Sequence, residues 1–318
     1  MNDPGAELVE RVLAGDERSL ARLISRIEAG DAVGTDALRA LRPRSGSARV
    51  VGVTGAPGSG KSTLVDALIA VARERDERVA VLAVDPSSPY SGGAILGDRI
   101  RMARWHADAG VFVRSMAARG HLGGLAAATL QVVTLLDAVG FDVVLVETVG
   151  VGQSEVEVAA AVDTTLVVLT PGQGDGVQAV KAGLMEIADV FVVNKADQSG
   201  AERVVRDVRA ALALAAPEGE HAWLPPVLTT VASRGTGVRE VDAEIGRFER
   251  HLVERGGLAL KRRGRAREEV RALMVEAARR ALKGVPDAVL DDVIAGGRDP
   301  DAVAMEMLGR AAGKRRVD

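Results

Sequence analysis

The stretch Val50-Val51-Gly52-Val53-Thr54-Gly55-Ala56-Pro57-Gly58-Ser59-Gly60-Lys61-Ser62-Thr63 decides how the rest of the chain is read. Its valine-rich opening has the composition of a buried strand. From Gly55 to Ser62 it then matches G-x-x-x-x-G-K-[ST], a loop that cradles phosphate. Gly55, Gly58 and Gly60 permit positive φ and bring backbone N–H groups close to phosphate oxygens. A helix starting near Gly60 adds the positive end of its dipole, Lys61 can reach β- and γ-phosphates, and the Ser62 hydroxyl can hold Mg²⁺. An ordinary glycine-rich turn between strand and helix would need neither Lys61-Ser62 nor the apolar helix face Leu64, Val65, Ala67 and Leu68.

The chain as a whole narrows the partners. With 318 residues, 47% of them hydrophobic, it can bury a sizeable core. Lys and Arg number 41 against 44 Asp and Glu, so the net charge of −3 makes no electrostatic case for nucleic acid or an anionic membrane. Cysteine is absent, which excludes disulfides, thiolate metal sites and cysteine catalysis. The acidic start Met1-Asn2-Asp3-Pro4 lacks an apolar leader, and no apolar run has the length of about 20 residues that a bilayer demands. A soluble, cytoplasmic protein is expected.

Taken in order, residues 1–47 read as an N-terminal helical arm. Asp16 is a candidate N-cap, Leu20, Leu23, Ile24 and Ile27 follow at helical spacing, and Gly30 stops the helix. Thr35 is the expected cap of a third helix carrying Leu38 and Leu41, with Pro43 to Ser47 as the linker. Residues 48–257 alternate apolar strands (Val79–Val84, Val143–Val146, Leu166–Leu169, Val190–Val193 and Val227–Val231) with helical patterns such as Leu125–Val139 and Glu202–Leu214. Near-continuous apolar strands with helical crossovers predict an α/β fold, a P-loop NTPase with a mostly parallel sheet covered by helices on both faces. Residues 258–318 read as a C-terminal helical arm with an apolar face suited to dimerisation, and the run Lys261-Arg262-Arg263-Gly264-Arg265-Ala266-Arg267 reads as a solvated helix face.

Each further motif falls at the carboxyl end of a strand, where catalytic loops of such sheets sit. Asp85 follows the second strand and Asp98 lies a short way on. Each could orient the water shell of Mg²⁺ or the attacking water, or instead cap a turn or helix. Glu147 is placed to hold Mg²⁺ through water, and Gly150 to bring its N–H near a γ-phosphate in a segment that changes shape on hydrolysis. Gln153 positions water or is a plain loop residue. Asn194-Lys195-Ala196-Asp197 comes about 130 residues after the phosphate loop. The Asp197 carboxylate can accept from the N1–H and N2 amino group of guanine, a donor pair that adenine lacks. Asn194 and Lys195 brace base and loop, and Val231, Ala232 and Ser233 can present N–H groups to guanine O6.

These motifs, with Val84-Asp85-Pro86-Ser87-Ser88, Gly97-Asp98-Arg99, Gly120-His121-Leu122-Gly123-Gly124 and Glu147-Thr148-Val149-Gly150-Val151-Gly152-Gln153-Ser154-Glu155, resemble the MeaB/ArgK family over about residues 49–237. Its members are P-loop GTPases that act as chaperones of adenosylcobalamin-dependent acyl-CoA mutases such as methylmalonyl-CoA mutase. The resemblance implies GTP hydrolysis to GDP and phosphate with Mg²⁺. It places Lys61 and Ser62 on phosphate and metal, Asp85, Asp98 and Glu147 in the metal and switch region, and Asn194, Lys195 and Asp197 on guanine. It also implies a homodimer, and a further switch at Asp175, Gln178 and Lys181 that couples nucleotide state to the mutase. Thr230-Val231-Ala232 departs from the family's usual Thr-Ser-Ala, so a Ser hydroxyl contact is lost while the backbone contact survives. Two alternatives stay open: a metal-insertion GTPase, which would need a Cys/His cluster where this chain has no cysteine and four scattered histidines, and a P-loop kinase acting on another acceptor, which would not need Asn-Lys-x-Asp.

Overall fold

A computed structural model describes residues 4–85, 102–117, 127–148, 154–172, 183–214 and 222–313. The strands β1 (Arg49–Thr54), β2 (Val79–Asp85), β3 (Val111–Ala117), β4 (Val143–Thr148), β5 (Thr164–Leu169), β6 (Val190–Val193) and β7 (Val227–Thr229) form one parallel sheet in the order β3-β2-β4-β1-β5-β6-β7. β1 sits inside the sheet between β4 and β5, and the order reverses on either side of it, so the loop after Thr54 opens at a topological switch point.

Alternate residues of each strand serve opposite faces. Val51, Val53, Val81, Leu145, Val168 and Val192 pack with α4 (Lys61–Arg73) and α9 (Val238–Glu254). On the other side, Val167, Leu169, Phe191 and Val193 pack with α7 (Leu184–Ile187) and α8 (Ala201–Leu214). Burial on both faces explains why these strands read as unbroken apolar runs. β3 was not foreseen. It interrupts its apolar pattern with Arg114 and Ser115 because it is an edge strand, where Arg114 reaches Glu28 and Ser25.

The N-terminal helices are α1 (Pro4–Leu13), α2 (Glu17–Ala29) and α3 (Ala32–Leu41), with α2 and α3 against α5 (Ala127–Ala138). Asp16 caps α2 by accepting from the N–H groups of Arg18 and Ser19, and Gly30 closes it in the left-handed region. The cap of α3 is Asp31, which accepts from the Gly34 N–H, whereas Thr35 lies inside the helix and donates to the Asp31 carbonyl. The linker is fastened by a buried carboxylate: Asp137 of α5 accepts from the N–H groups of Gly46, Ser47 and Ala48. The last strand ends at Thr229 rather than Val231, which instead bridges to Thr236.

The chain divides into two compact units, Met1–Arg265 and Ala266–Asp318. The later unit carries the rest of α10 (Gly257–Lys283), then α11 (Asp287–Ile294) and α12 (Pro300–Gly313). The basic run at the start of α10 is not the solvated face that its composition suggested. Lys261 pairs with Asp189 at 2.6 Å, while Arg262 and Arg265 pair with Asp163 at 3.6 and 3.4 Å. Arg263 and Arg267 point to solvent. Helical spacing divides one run between two faces, and only the partners decide which face is wet. Burial pushes the Asp163 and Asp189 carboxyls above the usual carboxylate range, against the pull of these cations. No helix among the described residues is long and apolar enough to cross a membrane.

Candidate nucleotide site

The loop after β1 takes its shape from its glycines. Gly55 has φ +138°, and a Cβ there would meet the Val168 carbonyl oxygen at 2.2 Å. Gly60 has φ +92°, and a Cβ would meet Asn194 Nδ2 at 2.2 Å. No L side chain fits either position. α4 begins directly after Gly60 without a side-chain cap, so its first backbone N–H groups face the loop, an arrangement suited to an anion. Lys61 is buried, and its Nζ donates to the Gly55 and Ala56 carbonyls at 2.8 and 3.0 Å.

Ser62 and Glu147 meet although 85 residues separate them: Ser62 Oγ donates to Glu147 Oε1 at 2.5 Å, and both residues are buried. They are brought together because Val53 pairs with Glu147 in the β1–β4 ladder, at the sheet edge from which the loop departs. A buried hydroxyl and carboxylate beside a phosphate loop form a hard oxygen donor set that fits Mg²⁺. The next residues of both strands are tied as well, Thr148 Oγ1 donating to Thr54 Oγ1 at 3.0 Å. Asp85 ends β2 one strand away, paired in register with Ala117.

The segment after β6 closes the site. Asn194 is 3% exposed and bonded at both ends of its amide: Nδ2 donates to the Ser59 carbonyl, while Oδ1 accepts from Thr230 Oγ1 and the Ala232 N–H. Lys195 adopts φ +56°, a left-handed conformation costly for a residue with a Cβ, and its Nζ donates to the Gly58 carbonyl at 2.8 Å. Asn194 and Lys195 thus brace two successive parts of the phosphate loop. Asp197 stands at the rim, its carboxylate part-exposed and 3.7 Å from Arg234 Nη2. Of the N–H groups expected near guanine O6, that of Val231 goes to the Thr236 carbonyl and that of Ala232 to Asn194, while Ser233 lies on the same short turn, Ala232–Arg234. Sequence reasoning did not single out Thr54, Thr148 or Arg234, whose partners lie far along the chain. Asp98, Gly150, Gln153, Asp175, Gln178 and Lys181 lie outside the described residues, as does the side chain of Asp85.

The family model described as Methylmalonyl Co-A mutase-associated GTPase MeaB matches residues 20–287. The chain belongs to the MeaB family of P-loop GTPases. A relative from Pyrococcus horikoshii is 46% identical over 315 residues, covering 96% of this chain and 99% of its own. GTPase ArgK of Escherichia coli is 38% identical, covering 84% of this chain and 82% of its own. The mouse Methylmalonic aciduria type A homolog, mitochondrial, is 39% identical over 67% of this chain and 52% of its own. Among solved structures, one titled LAO/AO transport system kinase superposes with a TM-score of 0.70 at 29% identity, over 96% of this chain and 98% of that one. The chain is therefore a GTP-hydrolysing enzyme.

Proposed function

We propose that this GTPase is a homodimeric, cytoplasmic chaperone that gates cofactor loading or protection of an adenosylcobalamin-dependent acyl-CoA mutase of the methylmalonyl-CoA mutase type. The observation that carries this reading is the family match over residues 20–287, whose description names that mutase. The likeness to the mouse homologue supports it. For the dimer, support comes from the apolar side chains that the later unit leaves exposed, among them Met274, Leu282, Ile294 and Met305.

At the nucleotide site, Lys61 exchanges its two carbonyl acceptors for β- and γ-phosphate oxygens, and the N–H groups at the start of α4 bind the same phosphates. Ser62 and Glu147, with Asp85 and Asp98, are the residues that would hold Mg²⁺, which supplies charge neutralisation on the phosphates. Asp197 reads the N1 and N2 donors of guanine, with Asn194, Lys195 and the 231–233 turn shaping the base site. Gly150 and Gln153 serve the γ-phosphate and the attacking water. The loop bearing Asp175, Gln178 and Lys181 communicates with the client.

A client that prefers one nucleotide state must, by linkage, alter nucleotide affinity, and a shift toward the hydrolysis-competent state speeds turnover. The test is GTP hydrolysis with and without cobalamin-dependent mutases of the same genome. Stimulation by one of them, reduced in Lys181→Ala with little change in basal rate, is the expected outcome. Absence of both stimulation and complex formation with every candidate withdraws the chaperone assignment while leaving the GTPase.

A further inference from the structure

Among the described residues, the ladder between β1 and β4 runs from Arg49 opposite Val143 to Val53 opposite Glu147. One residue farther on, β4 stays paired with β2 through Thr148 and Val84, and β1 stays paired with β5 through Thr54 and Val167. Between these two pairs Thr148 Oγ1 donates to Thr54 Oγ1 at 3.0 Å, with Thr54 0% and Thr148 1% exposed. A pair of buried hydroxyls therefore closes the seam between β1 and β4 at the level where the phosphate loop leaves the sheet.

Each threonine is the immediate neighbour of a site residue. Thr54 precedes Gly55, whose carbonyl accepts from Lys61 Nζ, and Thr148 follows Glu147, whose Oε1 accepts from Ser62 Oγ at 2.5 Å. Lower in the sheet β1 is held by close packing. A Cβ on Gly52 would come within 3.0 Å of Val162 and 3.1 Å of Val158, so α6 (Ser154–Ala161) and the turn after it rest on the bare backbone of the strand. A change in the spacing of Thr54 and Thr148 is thus expressed at the loop and at Glu147 rather than farther down.

We propose that Thr54 and Thr148 are positioning residues for the divalent cation of the nucleotide site: their hydroxyl pair holds the Glu147 carboxylate and the root of the phosphate loop at the separation at which Ser62 and Glu147 serve one ion. The proposal rests on the GTPase reading of the site and on Mg²⁺ as its metal. A methyl in place of either hydroxyl approaches its neighbour no closer than about 3.5–4.0 Å, so valine at either position opens the seam by about 0.5–1 Å. Mg²⁺ demands ligands at about 2.0–2.1 Å in near-octahedral geometry, and groups that orient metal ligands commonly account for about 10–100-fold in affinity. Nucleotide binding without metal is buffered against the same change, because Asn194 and Lys195 hold the loop from its other side, at the Ser59 and Gly58 carbonyls.

The test is Mn²⁺ binding to the GDP-bound chain by electron paramagnetic resonance, with GDP affinity in EDTA and urea midpoints measured alongside. Thr148→Val, and Thr148→Val combined with Thr54→Val, should each weaken Mn²⁺ binding by roughly tenfold or more, with GDP affinity in EDTA within about threefold of the wild type. Thr148→Ser, which keeps the hydroxyl, should bind Mn²⁺ as the wild type does. The single valine variant strands the buried Thr54 hydroxyl, whereas the double variant removes both polar groups, so the double should have the higher urea midpoint while Mn²⁺ binding stays weak in both. Wild-type Mn²⁺ binding in Thr148→Val overturns the proposal, and so does recovery of Mn²⁺ binding together with stability in the double variant, which would make the pair a packing element alone. A loss of GDP affinity in EDTA as large as the loss of Mn²⁺ affinity is equally fatal, since that would be general loosening. Should Thr148→Val fail to fold, the double variant decides by itself. Failure of the underlying reading would be seen separately, in the unaltered chain, as absence of GTP hydrolysis or of Mn²⁺ binding beside GDP, and would take the proposal with it.

Discussion

The ammonium of Lys61 is held by two carbonyls of the loop it serves, so Lys61→Ala removes the cation without opening the hydrophobic core around Leu64 and Leu68. Hydrolysis should fall on the order of a hundred- to a thousandfold with weakened nucleotide binding and an unchanged circular dichroism spectrum; near-normal turnover would remove Lys61 from the phosphate site. For Asp197→Asn, the amide can donate to the 2-oxo group of xanthine where the carboxylate could only accept. Competition binding should then show GTP affinity lost, on the order of a hundredfold or more, and xanthosine triphosphate gained. Glu249 makes a different kind of prediction. Burial, together with the neighbouring Asp163, Asp242 and Glu77, pushes its carboxyl up to about 7 against the pull of Arg49. Its folded pKa lies above the unfolded one, so the folded chain holds the extra proton between about 4.5 and about 7, and stability declines as pH rises through that window. Urea midpoints should show Glu249→Gln more stable than wild type at pH 8 and close to it at pH 4.5. Lys61 and Asp197 could be singled out because their neighbours in sequence complete recognisable motifs, whereas Glu249 sits in an ordinary-looking helix and acquires its environment from other elements.

Among the elements, β1, β4 and β6 were readable because burial on both faces forces an apolar run, and the loop at the end of each carries a recognisable motif. β3 escaped because an edge strand keeps polar residues. The start of α10 misled for a complementary reason: composition cannot tell a solvated arginine from one facing a buried acid. That difference has a consequence for where the chain can be cut. Ending it at Gly257 would strip Lys261, Arg262 and Arg265 from Asp189 and Asp163, leaving two buried carboxylates uncompensated. Such a loss costs about 3–5 kcal/mol where a buried pair is broken. A chain ending at Arg265 keeps all three cations. Thermal melts of the two truncations should separate clearly, with the longer one near the full-length protein and still binding GDP; equal melts would mean that the clamp contributes nothing.

For the molecule as a whole, the same cut tests the proposed dimer. Exposed Met274, Leu282, Ile294 and Met305 all lie beyond Arg265, so the chain ending there should sediment as a monomer, and a persistent dimer would place the interface on the sheet unit. The sequence by itself determined the parallel α/β sheet, the glycine-rich loop after β1 and the Asn-Lys-x-Asp motif after β6, because each depends on local spacing: valine runs, glycines at three positions of one loop, and four consecutive residues after a strand. Tertiary structure alone decided that Ser62 meets Glu147, that Asn194 holds the Ser59 carbonyl, that Thr54 pairs with Thr148, and that Arg265 grips the end of α6. These partners are 85 or more residues apart. Strand order and helix packing set their proximity, and a one-dimensional pattern carries no record of which buried charge or hydroxyl will be its neighbour's counterpart.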